Sequence, residues 1–237
     1  MLLTEPVPTG KSYRRALWPL LIGWILSFFS PSSLTQLDIR FAQLQRLAGE
    51  RFPEALPRIT GWQQLLSSSR GLSEAEQLKR VNAFFHQQIR YRTDAALYGE
   101  ADYWATPLET LGHGLGDCED WAIAQYVSLR QLGIADDKLR LIYVRARIGG
   151  PSSSLSEAHM VLGYYATPAS QPLILDSLVS SVQKAADRTD LTPVFSFNSA
   201  GLWAGQGVQK ANASPTARLS RWRSVLDRMQ AEGVVFR

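Results

Sequence analysis

Between Asp117 and Ile148 the sequence changes its period, and this limits the fold more than any other feature. From Asp117 to Leu132 apolar side chains recur at helical spacing, with Cys118, Ala122, Tyr126 and Leu129 on one face, and Gly133 stops the run. From Leu141 to Ile148 the pattern alternates: Ile142, Val144, Ala146 and Ile148 face one way, Arg145 and Arg147 the other. Further strands are predicted over His159–Tyr165, Leu173–Asp176 and Val194–Asn198. Upstream the signals are helical. Leu34 to Leu47 is amphipathic, and a shorter helix is expected from Ile59 to Leu66. Ser73-x-x-Glu76 is a capping box that opens a helix running to about Arg90. A loop rich in Tyr, Asp and Gly is expected from Tyr91 to Gly116. Helices first and strands later predict an α+β fold, with an antiparallel sheet packed on the cysteine-bearing helix.

The two ends have patterns of their own. Lys11, Arg14 and Arg15 precede an apolar run from Ala16 to Phe29. About 14 helical residues span roughly 21 Å, short of the ~30 Å hydrocarbon core. Residues 1–33 therefore read as a secretory signal peptide, with an uncleaved N-terminal anchor as the alternative. Residues 34–209 form the expected domain. Residues 210–237 read as a basic tail, with a loosely attached helix from Pro215 to Glu232.

The net charge is only +4 in 237 residues and the basic residues are scattered, so composition does not point to nucleic acid. A single cysteine, Cys118, excludes an internal disulfide framework and a multi-thiolate zinc site. Export would leave that thiol without a partner in its own chain, as a buried residue or a functional one.

The order of residue types favours function. Cys118 lies in the first turn of its helix, where unpaired N–H groups and the helix dipole favour a thiolate. His159 on a later strand can serve as general base, and Asp176 on the next can orient the imidazole. Taken singly, His159 reads as a core histidine and Asp176 as a turn cap; together they read as a triad. His113 is expected to be a loop residue, and His86 a structural or solvent-facing one. Asp117, Glu119 and Asp120 crowd the thiol with negative charge, which would raise its pKa. Two readings of these carboxylates stay open here: helix capping by Asp117 and Asp120, or hard oxygen ligands for a calcium ion.

Tyr103-Trp-Ala-Thr-Pro107, Gly116-Asp-Cys-Glu-Asp-Trp-Ala-Ile-Ala124, Ala158-His-Met-Val-Leu162, Pro172-Leu-Ile-Leu-Asp176 and Pro193-Val-Phe-Ser-Phe-Asn198 occur in that order. In these motifs the chain resembles the bacterial transglutaminase-like cysteine proteinases, over roughly Leu72 to Trp203. The resemblance implies a papain/transglutaminase-like fold with Cys118 as nucleophile, His159 as base and Asp176 as orienting acid. It implies calcium dependence, with ligands at Asp117 and Glu119 and Asp120 as a third. The Cys118 N–H would be one oxyanion donor, and the Trp104 indole is a candidate for the second. It further implies a periplasmic enzyme that clips the N-terminal region of a large surface adhesin at a di-alanine site, releasing it and dispersing biofilm. Its inhibitor would be the periplasmic domain of an inner-membrane cyclic di-GMP receptor. The rival functions are a transglutaminase or amidase using the same triad, and a non-catalytic binding module.

Overall fold

The computed structural model describes residues 37–150, 152–204 and 220–236. The N-terminal apolar run and its signal-or-anchor reading lie outside them. Among the described residues no helix is long and apolar enough to cross a membrane.

A short strand, β1 (Leu37–Ile39), leads into three helices: α1 (Phe41–Arg51), α2 (Leu56–Ser69) and α3 (Glu74–Gln88). Ser73 caps α3, its side chain accepting the Glu76 N–H as the capping-box pattern predicts. The stretch expected as loop is partly ordered. It holds β2 (Arg90–Tyr91), α4 (Asp94–Leu97), α5 (Pro107–His113) and β3 (Leu115–Gly116). Thr106 and Glu109 close a capping box around α5, and Pro107 takes its first position, where a missing N–H costs nothing. Then comes α6 (Cys118–Gln131), with Asp117 as its N-cap.

Five strands follow α6 almost without interruption: β4 (Leu139–Arg147), β5 (Ser156–Tyr164), β6 (Leu173–Asp176), β7 (Val179–Lys184) and β8 (Leu191–Phe197). With β9 (Leu202–Ala204) they form one sheet in the order β7-β6-β5-β4-β8-β9, each neighbouring pair antiparallel. Helix α6 packs on one face of this sheet and is enclosed on its other sides by α3 and α5. Every residue from Trp121 to Arg130 is buried, so the helix shows no polar face. The main core lies between the helices and the sheet, around Trp62, Phe85, Tyr126, Leu141 and Leu162. A smaller cluster, Ile142, Val144, Val161 and Ile174, occupies the opposite sheet face.

The chain ends in α7 (Ser220–Ala231) and β10 (Val234–Phe236). Two expectations are corrected here. Leu34–Leu47 is not one helix, because Leu37–Ile39 is drawn out as a strand by pairing with β10 at the far end of the chain. The C-terminal helix is not a loose tail: Trp222, Val225 and Met229 are fully buried in the main core, and Arg228 binds Glu109, the Tyr103 hydroxyl and the Trp104 carbonyl. The described C-terminal residues therefore pack into the same core as the helices and sheet.

Candidate active site

Cys118 is the first residue of α6, and the sequence builds that start with care. Asp117 and Asp120 form a reciprocal capping box. The Asp120 carboxylate is fully buried, and it accepts the Ala105 N–H at 2.7 Å and the Asp117 N–H at 3.3 Å. Gly116 makes room for it, since a Cβ there would stand 2.8 Å from Asp120 Oδ2. The thiol is thus held at a helix N-terminus on a doubly anchored turn.

Strand β6 pairs with β5 only from Leu162 to Tyr164, so the first half of β5 has an edge that β6 does not cover. Here the Met160 N–H bonds the Cys118 sulfur. Met160 follows His159, so thiol and imidazole belong to one short stretch of sheet edge. His159 Nε2 lies 2.8 Å from Asp176 Oδ1, and both residues are buried. That bond leaves Nδ1 as the ring nitrogen free to take a proton from another group. Asp176 Oδ1 also accepts the Leu178 N–H at 2.9 Å, and Oδ2 pairs with Arg188 at 2.6 Å. Burial alone would raise the Asp176 pKa, but His159, the Leu178 N–H and Arg188 together hold it below the usual carboxylate range. Behind it, His86 Nε2 lies 3.0 Å from the Asp176 carbonyl oxygen and its ring packs edge-on against Trp121. His113 is the last residue of α5, against Phe52 and Tyr98. Neither of these histidines competes with His159.

Around the thiol the acidic cluster is larger than the sequence suggested. Asp117 and Glu119 are joined by Asp94 from α4 and by Asp102 from the loop before α5. Three overlapping groups, Asp117–Cys118–Glu119, Asp94–Asp117–Asp120 and Asp94–Asp102–Glu119, each bring their ligand atoms within 4.8 Å of one another. Burial, then the charges of Glu119, Asp120 and Asp94, push Asp117 up to about 10. Burial also lifts Asp94 to about 6, against the lowering bond from the Tyr103 N–H. The Cys118 thiol is raised by burial first and then by Glu119, to whose Oε2 it donates at 2.9 Å.

Such a cluster is costly without a counter-charge. Asp94 Oδ1 and Asp117 Oδ1 are buried with no hydrogen-bond partner. All the side-chain donors bar the thiol are carboxylate oxygens, the hard ligand set that calcium takes. The residues therefore fit a calcium ion, with Asp94, Asp102, Asp117 and Glu119 as the side chains to hold it. Asp120 belongs to the cluster, but both its oxygens already accept backbone N–H groups. Asp94 and Asp102 went unnoticed in the sequence because they lie in a stretch that reads as loop and show no ligand spacing. The Trp104 indole has a different partner from the one expected: it donates to Asp102 Oδ1 at 2.9 Å and the ring stacks on Phe197. It orients a carboxylate of the cluster and does not stand free for an oxyanion.

A shallow cleft of about 240 Å³ runs beside β5, lined by Tyr143, Ala158, Val194 and Phe195 among others. Its β5 residue Ala158 shares the Met160 face of the strand. Val194 there is 49% exposed. A helix-start thiol with a paired imidazole and carboxylate can perform acyl transfer through a thioester.

The sequence model of the bacterial transglutaminase-like cysteine proteinases matches residues 63–194. Among solved structures, Legionella pneumophila LapG is 39% identical over 80% of this chain and 97% of its own, with a TM-score of 0.67. Its EGTA-treated form superposes with a TM-score of 0.69 and its calcium-bound form with 0.68, each again at 39% identity over 80% of this chain. No curated protein sequence matches significantly.

Proposed function

Because the chain belongs to the bacterial transglutaminase-like cysteine proteinases and is a cysteine proteinase of the LapG kind, we propose that it is a calcium-dependent periplasmic endopeptidase built on Cys118, His159 and Asp176. The observation that carries this reading is the meeting of three elements at one sheet edge. The N-terminus of α6 brings the thiol, β5 the Met160 N–H that bonds it and, one residue earlier, His159, and β6 the carboxylate 2.8 Å from His159 Nε2.

His159 takes the thiol proton at Nδ1, since Nε2 is held by Asp176. The thiolate sulfur attacks the scissile carbonyl carbon, and the oxyanion that forms meets the Cys118 N–H at the helix start. His159 then gives its proton to the leaving amine, and the carbon–nitrogen bond breaks to leave a thioester. Water, deprotonated by His159, attacks the thioester, and the thiol is regenerated as the acid product departs. Asp176 keeps the imidazole in position and stabilises its charged form. Calcium, when bound at Asp94, Asp102, Asp117 and Glu119, supplies the positive charge that offsets the carboxylates beside Cys118. That Legionella pneumophila LapG was solved in calcium-bound and EGTA-treated forms supports calcium as the ion.

For the substrate we infer the N-terminal region of a large surface adhesin, cut at a di-alanine site so that the adhesin is released and biofilm disperses. Small side chains at the scissile bond contribute little burial energy, so selection there works by excluding larger ones. The inferred inhibitor is the periplasmic domain of an inner-membrane cyclic di-GMP receptor.

The test is mass mapping of fragments from a co-encoded large adhesin, with and without a chelator and with Cys118→Ala. Cleavage between two alanines that disappears with chelation and with Cys118→Ala is expected. Cleavage surviving Cys118→Ala removes the nucleophile assignment. Amide exchange onto an added primary amine without net hydrolysis favours a transglutaminase instead.

A further inference from the structure

The sheet face opposite α6 holds a second cavity, which meets the triad at Arg188, the ion-pair partner of Asp176. Its volume is about 340 Å³, and its floor is the cluster Ile142, Val144, Val161 and Ile174, each 5% exposed or less. Pockets for small molecules begin at about 300 Å³ and are lined mainly by apolar groups with a few placed polar ones. The polar lining includes Tyr165, Ser170, Gln171 and Ser196, and its charged groups are two guanidiniums, Arg140 and Arg188, each 5% exposed.

A guanidinium does not give up its proton in a protein, so each brings a full charge against an apolar floor. The two are treated differently. Arg188 pairs with Asp176 at 2.6 Å and with Asp190 at 2.7 Å. Arg140 lies between two aromatic rings, 4.5 Å from the Tyr165 centroid and 4.3 Å from that of Trp203. Among the described residues no carboxylate forms an ion pair with it, and its buried Nε has no hydrogen-bond partner. Arg188 Nη1 is buried and unpartnered as well. Two ring faces and a side-chain hydrogen bond with Tyr165 offset part of the cost of burying this cation, but none of them brings a negative charge. Among the described residues, then, one positive charge without a carboxylate partner borders a cavity of ligand size with an apolar floor.

We propose that this cavity is a binding site for a small carboxylate with an apolar body. The carboxylate completes the pairing of Arg140, and the body rests on Ile142, Val144, Val161 and Ile174. A singly charged anion fits better than phosphate, because Asp176 and Asp190 already neutralise Arg188 and would repel a second negative charge.

Calorimetric titration of the full chain with octanoate tests this without any substrate, so its outcome is separate from that of the protease reading. Acetate, octan-1-ol, octylamine and inorganic phosphate serve as controls. Saturable one-to-one binding of octanoate is expected, at least ten-fold tighter than any control. Arg140→Met keeps side-chain bulk between the two rings and removes the charge; it weakens octanoate at least ten-fold. Ala186→Trp, at an exposed position on the rim, narrows the entrance and weakens it equally. Thermal melts check that both variants fold, and if Arg140→Met does not, Ala186→Trp decides. Octan-1-ol or phosphate binding as tightly as octanoate overturns the proposed ligand class. Absence of saturable octanoate binding, or binding unchanged in the folded variants, overturns the site.

Discussion

Asp176 divides its carboxylate between two neighbours: Oδ1 faces His159 and the Leu178 N–H, and Oδ2 faces Arg188. Burial works against its negative charge, and these partners more than reverse that. A carboxylate with a depressed folded pKa contributes stability above its unfolded value, about 3.9, and loses that contribution as pH falls through the folded value. Arg188→Met removes one depressing partner, so the acid limb of the kcat profile moves to higher pH. It is expected to lower kcat about ten-fold or more with little change in KM, and Arg188→Lys is expected to recover part of it. Breaking a buried pair on one side also destabilises by about 3–5 kcal/mol, visible as a lower Tm. Cys118 and His159 could be picked out in the sequence because their types are scarce, with one cysteine and three histidines in 237 residues, and Asp176 by its place on the next predicted strand. Arg188, Asp94 and Asp102 were not. They are common surface residue types, and only the folded chain shows that Arg188 and Asp94 are buried and what each of the three faces.

At the scale of elements, the start of α6 does two separable things. Asp120 holds the backbone of the turn, while Asp117 and Asp94 present unpartnered oxygens to a cation. Asp120→Ala strands two buried N–H groups, each costing about 1–3 kcal/mol, so it lowers Tm with or without a chelator. Asp117→Ala instead abolishes the rise in Tm on adding calcium, and in the chelated protein it removes one helix cap together with one crowded charge, so Tm there falls less than for Asp120→Ala. Differential scanning calorimetry of both variants, with and without calcium, separates the two roles. Elements with strong local signals were legible. Ser73 capped its helix, β4 alternated, and Asp117 opened α6. Strands β7 and β9 carried no such signal, since β7 is polar and largely exposed and β9 has only three residues. Strand β1 was read as helix because its strand character comes from a partner almost 200 positions away, which local periodicity does not reveal.

For the whole molecule, the proposed calcium ion and the C-terminus are the two contributions to stability most open to test. Asp94, up at about 6, and Asp117, up at about 10, bind a proton more tightly folded than unfolded when no cation is present. The metal-free protein therefore loses stability as pH rises from about 4 through these values. Calcium is expected to raise Tm more at pH 8 than at pH 5. At a hundred-fold excess over Kd the gain is about 2.7 kcal/mol, or roughly 5–10 °C for a domain of this size. A chain ending at residue 209 lacks Trp222, Val225 and Met229. At about 1.5–3 kcal/mol for each buried side chain, that loss equals most of a typical domain's ~5–15 kcal/mol. The truncated chain is expected to be insoluble or proteolysed on expression, and limited proteolysis beside the full chain checks it.

The ladder between β1 and β10 also sets how the folded unit responds to being pulled by its ends. Leu37 and Phe236, the outermost residues of the two strands, face each other across one rung. A force drawing those residues apart loads that rung alone, then Asp38–Val235, then Ile39–Val234, as a zipper opens, instead of shearing all three together. The core behind Trp222 comes under load only after these short rungs have parted. The fold is thus mechanically soft along the line joining its two ends, although its thermal stability draws on the whole buried interior.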